Sequence, residues 1–321
     1  MEDFKYMVRV DCITYNHASY IEDAMNGFCM QETSFPFVCT ILDDASTDGE
    51  PEVIRGYLKE HFDLDDKFVV RNEETDDYCL TFAQHKRNKN CFFAVFLLKY
   101  NHYSIKKPKK SYVEKWCGTK YVAMCEGDDY WTCPNKLQLQ VDFLEGHPDY
   151  TMCFHNSEMK REEGIAIRHN ILDVLFEERD YEAVEFIKHR PPTASLVYRN
   201  SIIIPKDKRF LYGDNLIFLT CATEGKVKAF KDVMSVYRRH AGGVTLATYQ
   251  PFIKRIENRF ALMEYFPSCN LFLKRRMGAD ITMSLLKKKE RKDVVIYLLH
   301  HPKEIKYLFI GLYTIVTNKE R

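Results

Sequence analysis

The sequence predicts an α/β fold in which a mainly parallel sheet is flanked by helices and followed by a helical C-terminal extension. Apolar runs of strand length occur at residues 8–14, 37–42 and 121–125, and a helical pattern follows each of them. Strands that alternate with helices favour a parallel sheet covered on both faces. After Pro251 the pattern is almost wholly helical, which predicts the extension.

The individual elements follow from local patterns. A capping box at residues 19–22 opens a helix that runs toward Met30, and Pro134 stands where a first helical turn tolerates proline. Residues 106–110 read as an exposed basic loop inside an insertion. Strands are expected at residues 8–14, 37–42, 67–71, 121–125, 150–154, 195–198 and 228–230. Helices before the extension are expected at residues 19–30, 52–61, 81–100 and 134–146.

Composition excludes several classes of protein. The chain has 321 residues, of which 45% are hydrophobic and 29% charged, so it can bury a large core and is not expected to be disordered. Its formal net charge of +1 gives no global field that would recruit nucleic acid, and we expect no nucleic-acid partner. Eleven cysteines occur without a Cys-x-x-Cys pair, and no secretory apolar region opens the chain. We therefore expect a cytoplasmic protein with reduced cysteines packed as small core residues.

Two acidic clusters directly follow predicted strands. Asp43 and Asp44 follow one, and Glu126, Asp128 and Asp129 follow another. Ligands of open α/β sheets bind outside the carboxyl ends of the strands, so the clusters are expected to face one cleft. Carboxylates held close together are compatible with Mg²⁺ or Mn²⁺, which in turn holds phosphate, as in a nucleotide diphosphate. The alternative is that these residues are solvated turn formers or helix caps.

Four blocks in the first 146 residues resemble the family 2 glycosyltransferases, which have the GT-A fold. In order they are VDCITYNH ending at His17, Gln31, LDDASTDG at 42–49, and EGDDYW at 126–131 followed by PNKL. A weaker resemblance continues to about residue 244, and the chain beyond Pro251 is not covered. The resemblance implies a GT-A domain at 1–250, with a nucleotide-sugar half at about 1–146 and an acceptor half at about 147–250.

The resemblance also implies how the donor is bound. The turn at Thr14, Tyr15 and Asn16 would hold the base and ribose, with Tyr15 offering a flat face to the base. Asp43 or Asp44 would accept a hydrogen bond from the edge of the base. Both alternatives are open at this stage.

The Asp-x-Asp element of the family falls on Glu126-Gly127-Asp128, where Glu replaces the first Asp. Asp128 would be the metal ligand, with Glu126 and Asp129 on the donor side, and which of the three carboxylates contacts the metal stays open. Tyr130 and Trp131 would line the sugar or acceptor side. The alternative is that these two aromatic residues anchor the following helix in the core.

Two later blocks complete the implied site. Asp214 resembles the catalytic base of the family, although an Asp before an apolar helix is also a common N-cap. The sequence from Tyr237 to His240 resembles a late Tyr-Arg-x-His block, in which Arg238 would contact the leaving diphosphate and His240 the metal. One base and no nucleophile would give a single displacement with inversion.

The implied activity is transfer of a sugar, by preference from a UDP-sugar, to a hydroxyl of a glycan or lipid-linked glycan. The setting would be polysaccharide or lipopolysaccharide assembly, with Mn²⁺ or Mg²⁺ as cofactor. One alternative is a non-catalytic nucleotide-sugar or glycan-binding module of the same fold. A sugar nucleotidyltransferase is disfavoured, because it needs a Gly-rich first loop where this chain has Tyr15, Asn16 and His17.

The helical extension at 251–321 is basic. Residues 270–321 hold twelve Lys and Arg against five Asp and Glu. Its longest apolar run, residues 307–317, is shorter than the ~20 residues of a membrane span. The extension is expected either to lie on the inner face of an anionic membrane or to pack as a helical cap with its basic face in water.

Overall fold

The computed structural model describes residues 5–162, 175–243 and 250–317. These residues form two compact units. The sheet unit comprises residues 5–162, 175–181, 189–202 and 224–243, and the helical unit comprises residues 182–188, 203–223 and 250–317. The helical unit therefore contains two segments that precede the predicted boundary at residue 250. Tertiary contacts place these two segments in the C-terminal unit, and no linker or change in composition marks them in the sequence.

Within the described residues, eleven strands form one sheet with the order β3-β5-β6-β2-β1-β7-β10-β9-β11-β8, and β4 pairs with β5. The four central strands β6, β2, β1 and β7 are parallel, as predicted, and antiparallel pairs occur on both sides of them. The strands are β1 (Val8–Thr14), β2 (Phe37–Asp43), β3 (Phe62–Asp63), β4 (Arg71–Glu74), β5 (Tyr78–His85), β6 (Cys91–Leu98), β7 (Tyr121–Met124), β8 (Tyr130–Trp131), β9 (Tyr150–Arg161), β10 (Val197–Arg199) and β11 (Lys226–Arg239).

The helices are α1 (Ile21–Cys29), α2 (Glu50–His61), α3 (Lys110–Val113), α4 (Lys136–Gly146), α5 (Ala183–Lys188), α6 (Gly213–Glu224), α7 (Phe252–Tyr265), α8 (Asn270–Leu286), α9 (Arg291–His300) and α10 (Ile305–Thr317). The predicted extension is helical, as α7 to α10 show. The predicted capping box is wrong, because α1 has Tyr20 at its N-cap and no side-chain cap bond.

Both faces of the sheet are covered, which is why its central strands read as continuous apolar runs. On one face, Val10 of β1 packs in a cluster with Phe28 of α1 and Leu137 of α4. On the other, Phe96 of β6 packs in a cluster that Trp116 joins. The predicted placement of cysteines is confirmed for Cys12, Cys39 and Cys125, which are buried, and all eleven cysteines are free thiols.

Two predictions between residues 62 and 100 are wrong. The expected helix at 81–100 is the antiparallel pair β5 and β6, since residues 86–90 form a polar turn between two apolar runs of strand length. The expected strand at 67–71 is a turn over most of its length, with β3 before it and β4 beginning at its last residue, Arg71. A continuous apolar run fits a buried strand as well as a buried helix, and only the pairing of β6 with β2 decides between them.

Candidate functional site

The candidate site lies at the carboxyl end of β1, in the sheet unit. Strands β2 and β7 flank β1 and run parallel to it, so the three chains leave the sheet at the same edge. Thr14 is in register with Asp43, and the amide of Gly127 donates to the carbonyl of Ile13 over 3.1 Å. The turns that carry Asp43 and Asp128 therefore lie on either side of β1, at the edge where this fold binds ligands.

Gly127 is required by the close approach of these turns. A Cβ at this position would lie 2.1 Å from Thr14 Oγ1 and 2.5 Å from Thr14 Cβ. No side chain fits at such a distance. The glycine thus allows the acidic turn after β7 to pack directly on the end of β1.

Three potential metal ligands meet at this edge. Among the described residues, ligand atoms of His17, Asp128 and His240 all lie within 4.8 Å of one another. Asp128 Oδ2 is 3.0 Å from His240 Nε2 and 3.8 Å from His17 Nε2. Burial raises the pKa of the Asp128 carboxyl, but the bond to His240 and the charge of His17 lower it by more, so the net pKa is below its usual value. Asp128 is therefore a carboxylate at neutral pH, as a metal ligand must be.

Buried contacts fix the orientation of His17. The Glu50 carboxylate, which is fully buried, accepts a hydrogen bond from the Thr14 hydroxyl, and Thr14 Oγ1 lies 3.2 Å from His17 Nδ1. Because the hydroxyl proton points at Glu50, the oxygen of Thr14 accepts a hydrogen bond from the N–H of His17 Nδ1. In the neutral form of His17 the lone pair then lies on Nε2, the atom that faces Asp128.

Asp129 and Glu126 are held by neighbouring segments. Asp129 is buried, and its Oδ1 accepts the backbone N–H of Arg238 over 2.8 Å. Burial, followed by the charges of Asp128 and Glu126, raises the pKa of Asp129 well above its usual value. Glu126 accepts a hydrogen bond from the hydroxyl of Thr193, which lies in a 3₁₀ turn. Of the three acidic residues, Asp128 is thus the one that faces both histidines.

Arg238 is engaged inside the protein. Its guanidinium donates to the Asp128 carbonyl over 3.0 Å and to the Asp23 carboxylate, and lies 4.4 Å from the centre of the Tyr130 ring. Direct contact with a diphosphate would require some of these bonds to be exchanged. In the structure Arg238 braces the turn that carries Asp128.

The two aromatic residues after this turn differ. Tyr130 is half-buried beneath Arg238, whereas Trp131 is 1% exposed, and its Nε1 donates to the Ala194 carbonyl over 2.8 Å. Trp131 also makes an edge contact with Phe28 of α1. A side chain this buried offers no surface to an acceptor, so the structure corrects the prediction for Trp131 and favours its role as a core anchor.

Hydrogen bonds join the turns after β1 and β2, where the resemblance places the nucleotide base. Asn16, at a φ of 57°, accepts the Thr47 N–H on its Oδ1 and donates its own N–H to Ser46 Oγ, both over 2.8 Å. Tyr15 is 43% exposed beside them, as a residue that stacks on a base must be. The first turn therefore has a fixed backbone and an accessible ring.

The structure distinguishes Asp43 from Asp44. Asp44 accepts the N–H groups of His102 and Tyr103 and the ammonium of Lys109, at 2.8, 3.1 and 2.6 Å. Asp43 is buried, burial raises its pKa to about 6, and its Oδ1 has no hydrogen-bond partner among the described residues. Of the two, Asp43 is therefore the one with an unengaged acceptor atom, and this atom is buried in the structure. The predicted basic loop is not simply exposed, since Lys109 reaches inward to Asp44.

Asp214 lies on α6, in the helical unit, and is half-buried. The helix begins at Gly213, so Asp214 is in the first turn rather than at the capping position. The alternative role as an N-cap therefore has no support in the helix boundary.

Sequence reasoning assigned no role to His17 and Glu50. His17 belongs to the first block, and its position directly after the turn of β1 was a usable signal. Glu50 gave no such signal, since an acidic residue in the first turn of a helix is commonplace. Its burial against Thr14 depends on how β1 and α2 pack.

Solved structures of glycosyltransferases resemble this chain, TarS and PcManGT among them. The crystal structure of residues 1–349 of S. aureus TarS in complex with UDP-GlcNAc has a TM-score of 0.52 and 14% identity, over 94% of this chain and 79% of that one. The mannosyltransferase PcManGT from Pyrobaculum calidifontis, in complex with GDP-Man and Mn²⁺, has a TM-score of 0.50 and 14% identity, over 98% and 88%. The fold is that of the GT-A glycosyltransferases. The predicted fold class is confirmed, and identities this low establish the fold alone.

No protein-family model matches the chain. Uncharacterized proteins of Mycobacterium bovis and Mycobacterium tuberculosis are each 28% identical to it over 256 residues, which is 77% of this chain. The match spans 63% of the length of each relative.

Proposed function

We propose that the chain transfers a sugar, with inversion, from a nucleotide-diphosphate sugar to a hydroxyl of a glycan or lipid-linked glycan. The observation that carries the proposal is the group formed by His17, Asp128 and His240 at the ligand-binding edge of a GT-A sheet. Two resembling structures of this fold hold UDP-GlcNAc and GDP-Man. Asp43 Oδ1 at the same edge is buried and has no hydrogen-bond partner among the described residues, and we propose that it accepts a hydrogen bond from a nucleotide base when the donor displaces the residues that bury it.

The group fits a divalent cation. It offers two imidazole nitrogens and one carboxylate oxygen, and the proton on His17 Nδ1 leaves its Nε2 free to bind metal. Two imidazoles beside one carboxylate are a softer set of ligands than the oxygen atoms that Mg²⁺ prefers, and one resembling structure holds Mn²⁺, so we propose Mn²⁺ rather than Mg²⁺. A cation at this position would neutralise charge on the leaving diphosphate.

The protein groups supply orientation and proton transfer. Glu50 and Thr14 hold His17, and Arg238 and Asp129 hold the turn of Asp128, so the ligands are preorganised. We propose that Asp214 accepts the proton of the acceptor hydroxyl as that oxygen attacks the anomeric carbon. The bond from the anomeric carbon to the diphosphate breaks in the same step, and the single displacement inverts the configuration.

Labelled nucleotide sugars incubated with the full chain, with and without Mn²⁺, test the proposal. We expect sugar release to water or acceptor that depends on Mn²⁺, and loss of nucleotide binding in the presence of Mn²⁺ for Asp128→Asn. Asp214→Asn should retain donor binding and lose transfer. Asp293→Asn, an exposed aspartate of the helical unit, is the matched control and should behave as the parent.

If the parent binds the nucleotide with Mn²⁺ but releases no sugar, the chain is a binding module of this fold. If Asp214→Asn transfers sugar at the parental rate, Asp214 is not the base.

A further inference from the structure

The last two helices of the helical unit each bury one face and expose apolar side chains on another. Val294 of α9 and Tyr307 of α10 lie in one buried cluster with Phe252, Met277 and Ile281. This cluster accounts for the packing of both helices. The exposed apolar residues of α9 and α10 lie outside this cluster, so their presence on these helices has another explanation.

On α9 the exposed residues form a stripe. Lys292, Val295, Ile296 and Leu299 have the spacing i, i+3, i+4 and i+7, which places them on one side of a helix. The three apolar members are 46%, 44% and 75% exposed. A globular helix usually places such a stripe against its core, yet here the stripe faces solvent.

Helix α10 repeats the arrangement. Ile305, Phe309, Leu312 and Tyr313 have the spacing i, i+4, i+7 and i+8, and they are 38%, 66%, 45% and 59% exposed. Lys306 is exposed beside the first of them. A lysine thus lies at the N-terminal end of each stripe, within the α9 stripe as Lys292 and beside the α10 stripe as Lys306.

The charge around the stripes is positive. Residues 287–306 contain seven Lys and Arg and three Asp and Glu, a surplus of four. One of the acidic residues, Glu290, is buried and paired with Arg255 over 2.6 Å, so it faces the interior. Glu290 also pairs with Lys287 over 3.6 Å, so the surface that surrounds the two stripes keeps a net positive charge.

We propose that the exposed stripes of α9 and α10 dock the chain on a membrane surface that contains anionic lipid. Apolar side chains flanked by lysine match such a surface, where the side chains enter the headgroup region and the ammonium groups pair with phosphate. No helix of the described residues is long and apolar enough to span a bilayer. The helices would thus lie along the interface.

Charge decides against a second copy of the chain as the occupant. A two-fold interface buries the same surface of both subunits, so two surfaces that both carry net positive charge would be brought together. Like charges opposed in this way weaken association, whereas anionic lipid relieves the repulsion.

Co-sedimentation of the full chain with phosphatidylcholine vesicles, with and without phosphatidylglycerol, tests the proposal. We expect binding that requires phosphatidylglycerol, weakens with salt, and falls about fivefold for each lysine neutralised in Lys292→Gln and Lys306→Gln. Leu299→Glu and Phe309→Glu should abolish it. Phe68→Glu is the matched control, since Phe68 is 92% exposed in the sheet unit, and it should bind as the parent.

Vesicle binding needs no sugar transfer, so its outcome is separate from that of the proposed activity. Equal binding of the parent to both kinds of vesicle, or to neither, would overturn the proposal. The proposal would also be overturned if the parent forms dimers in sedimentation velocity and Phe309→Glu no longer forms them but still binds vesicles.

Discussion

At the scale of single residues, the candidate site depends on which atoms of each side chain are already engaged. His17 and His240 lie on different segments, yet both present a ring nitrogen to Asp128. For His17 the presented nitrogen is set by Thr14, whose hydroxyl donates to Glu50. Glu50 therefore acts on the proposed metal through Thr14 and His17.

Replacing Glu50 by Gln should weaken Mn²⁺ binding by about 10- to 100-fold, which is the usual effect of replacing a residue that orients a metal ligand. The amide can donate to Thr14, which frees the hydroxyl proton to point at His17 and removes the preference for a proton on Nδ1. Isothermal titration with Mn²⁺ measures the change. Glu52→Gln, on the same helix but exposed, is the control, and equal affinities for the two variants would contradict the assignment.

Lys136 is a second residue whose surroundings matter. It is fully buried, its Nζ has no hydrogen-bond partner among the described residues, and it lies 4.1 Å from the centre of the Trp131 ring. Burial lowers the pKa of Lys136 to about 7. The folded state therefore favours the uncharged amine.

Lys136→Met should make stability less dependent on pH. Between pH 7 and 10.5 the unfolded lysine keeps a proton that the folded one has lost, so the free energy of unfolding of the parent rises with pH. The slope from this group is at most about 1.4 kcal/mol per pH unit. The variant should be more stable than the parent near pH 7, and this advantage should shrink as pH rises.

Urea denaturation at several pH values measures the difference. Lys59→Met, at an exposed lysine, should give a curve parallel to that of the parent. An advantage of Lys136→Met that stays constant with pH would show that the amine is charged in the folded state.

At the scale of elements, α8 and α10 of the helical unit approach each other closely at two glycines. A Cβ on Gly278 would lie 2.4 Å from the Tyr307 carbonyl oxygen, and a Cβ on Gly311 would lie 2.1 Å from the Gly278 carbonyl oxygen. The two backbones can approach this closely because neither residue has a side chain.

Gly278→Ala and Gly311→Ala should each destabilise the helical unit by about 1–3 kcal/mol, because the methyl group forces the helices apart. Thermal unfolding followed by circular dichroism measures the loss. Gly56→Ala is the control, since nothing lies within 4 Å of its added Cβ in α2 and alanine favours a helix. Unchanged stability of both variants would show that α8 and α10 are not in contact.

At the scale of the whole molecule, the edge of the sheet should discriminate among nucleotides. Asp43 Oδ1 has no hydrogen-bond partner in the described parts of the chain, and uracil presents a ring N–H where cytosine presents a lone pair. A ligand that binds the native state raises its stability, so UDP with Mn²⁺ should raise the melting temperature most and CDP least.

A thermal-shift screen measures this order, and Asp43→Asn tests its cause. The amide can donate as well as accept, so the difference between UDP and CDP should narrow in this variant. A parent that responds equally to UDP and CDP would remove Asp43 from base recognition.

The amino-acid sequence by itself determined the parallel centre of the sheet and the acidic turns at its edge. Strands buried on both faces leave continuous apolar runs, and parallel strands end at one edge whatever follows them. The sequence did not determine the pair β5 and β6, because an apolar run of this length is equally a helix until a partner strand is known.

Only the tertiary structure decided which side chains meet. His240 reaches Asp128 across 112 residues of chain, and Glu50 reaches Thr14 across 36. Local periodicity holds no information about such distant pairs. Likewise, Trp131 became a core residue and Asp44 a partner of Lys109 through packing, since burial is a property of the assembled fold rather than of a motif.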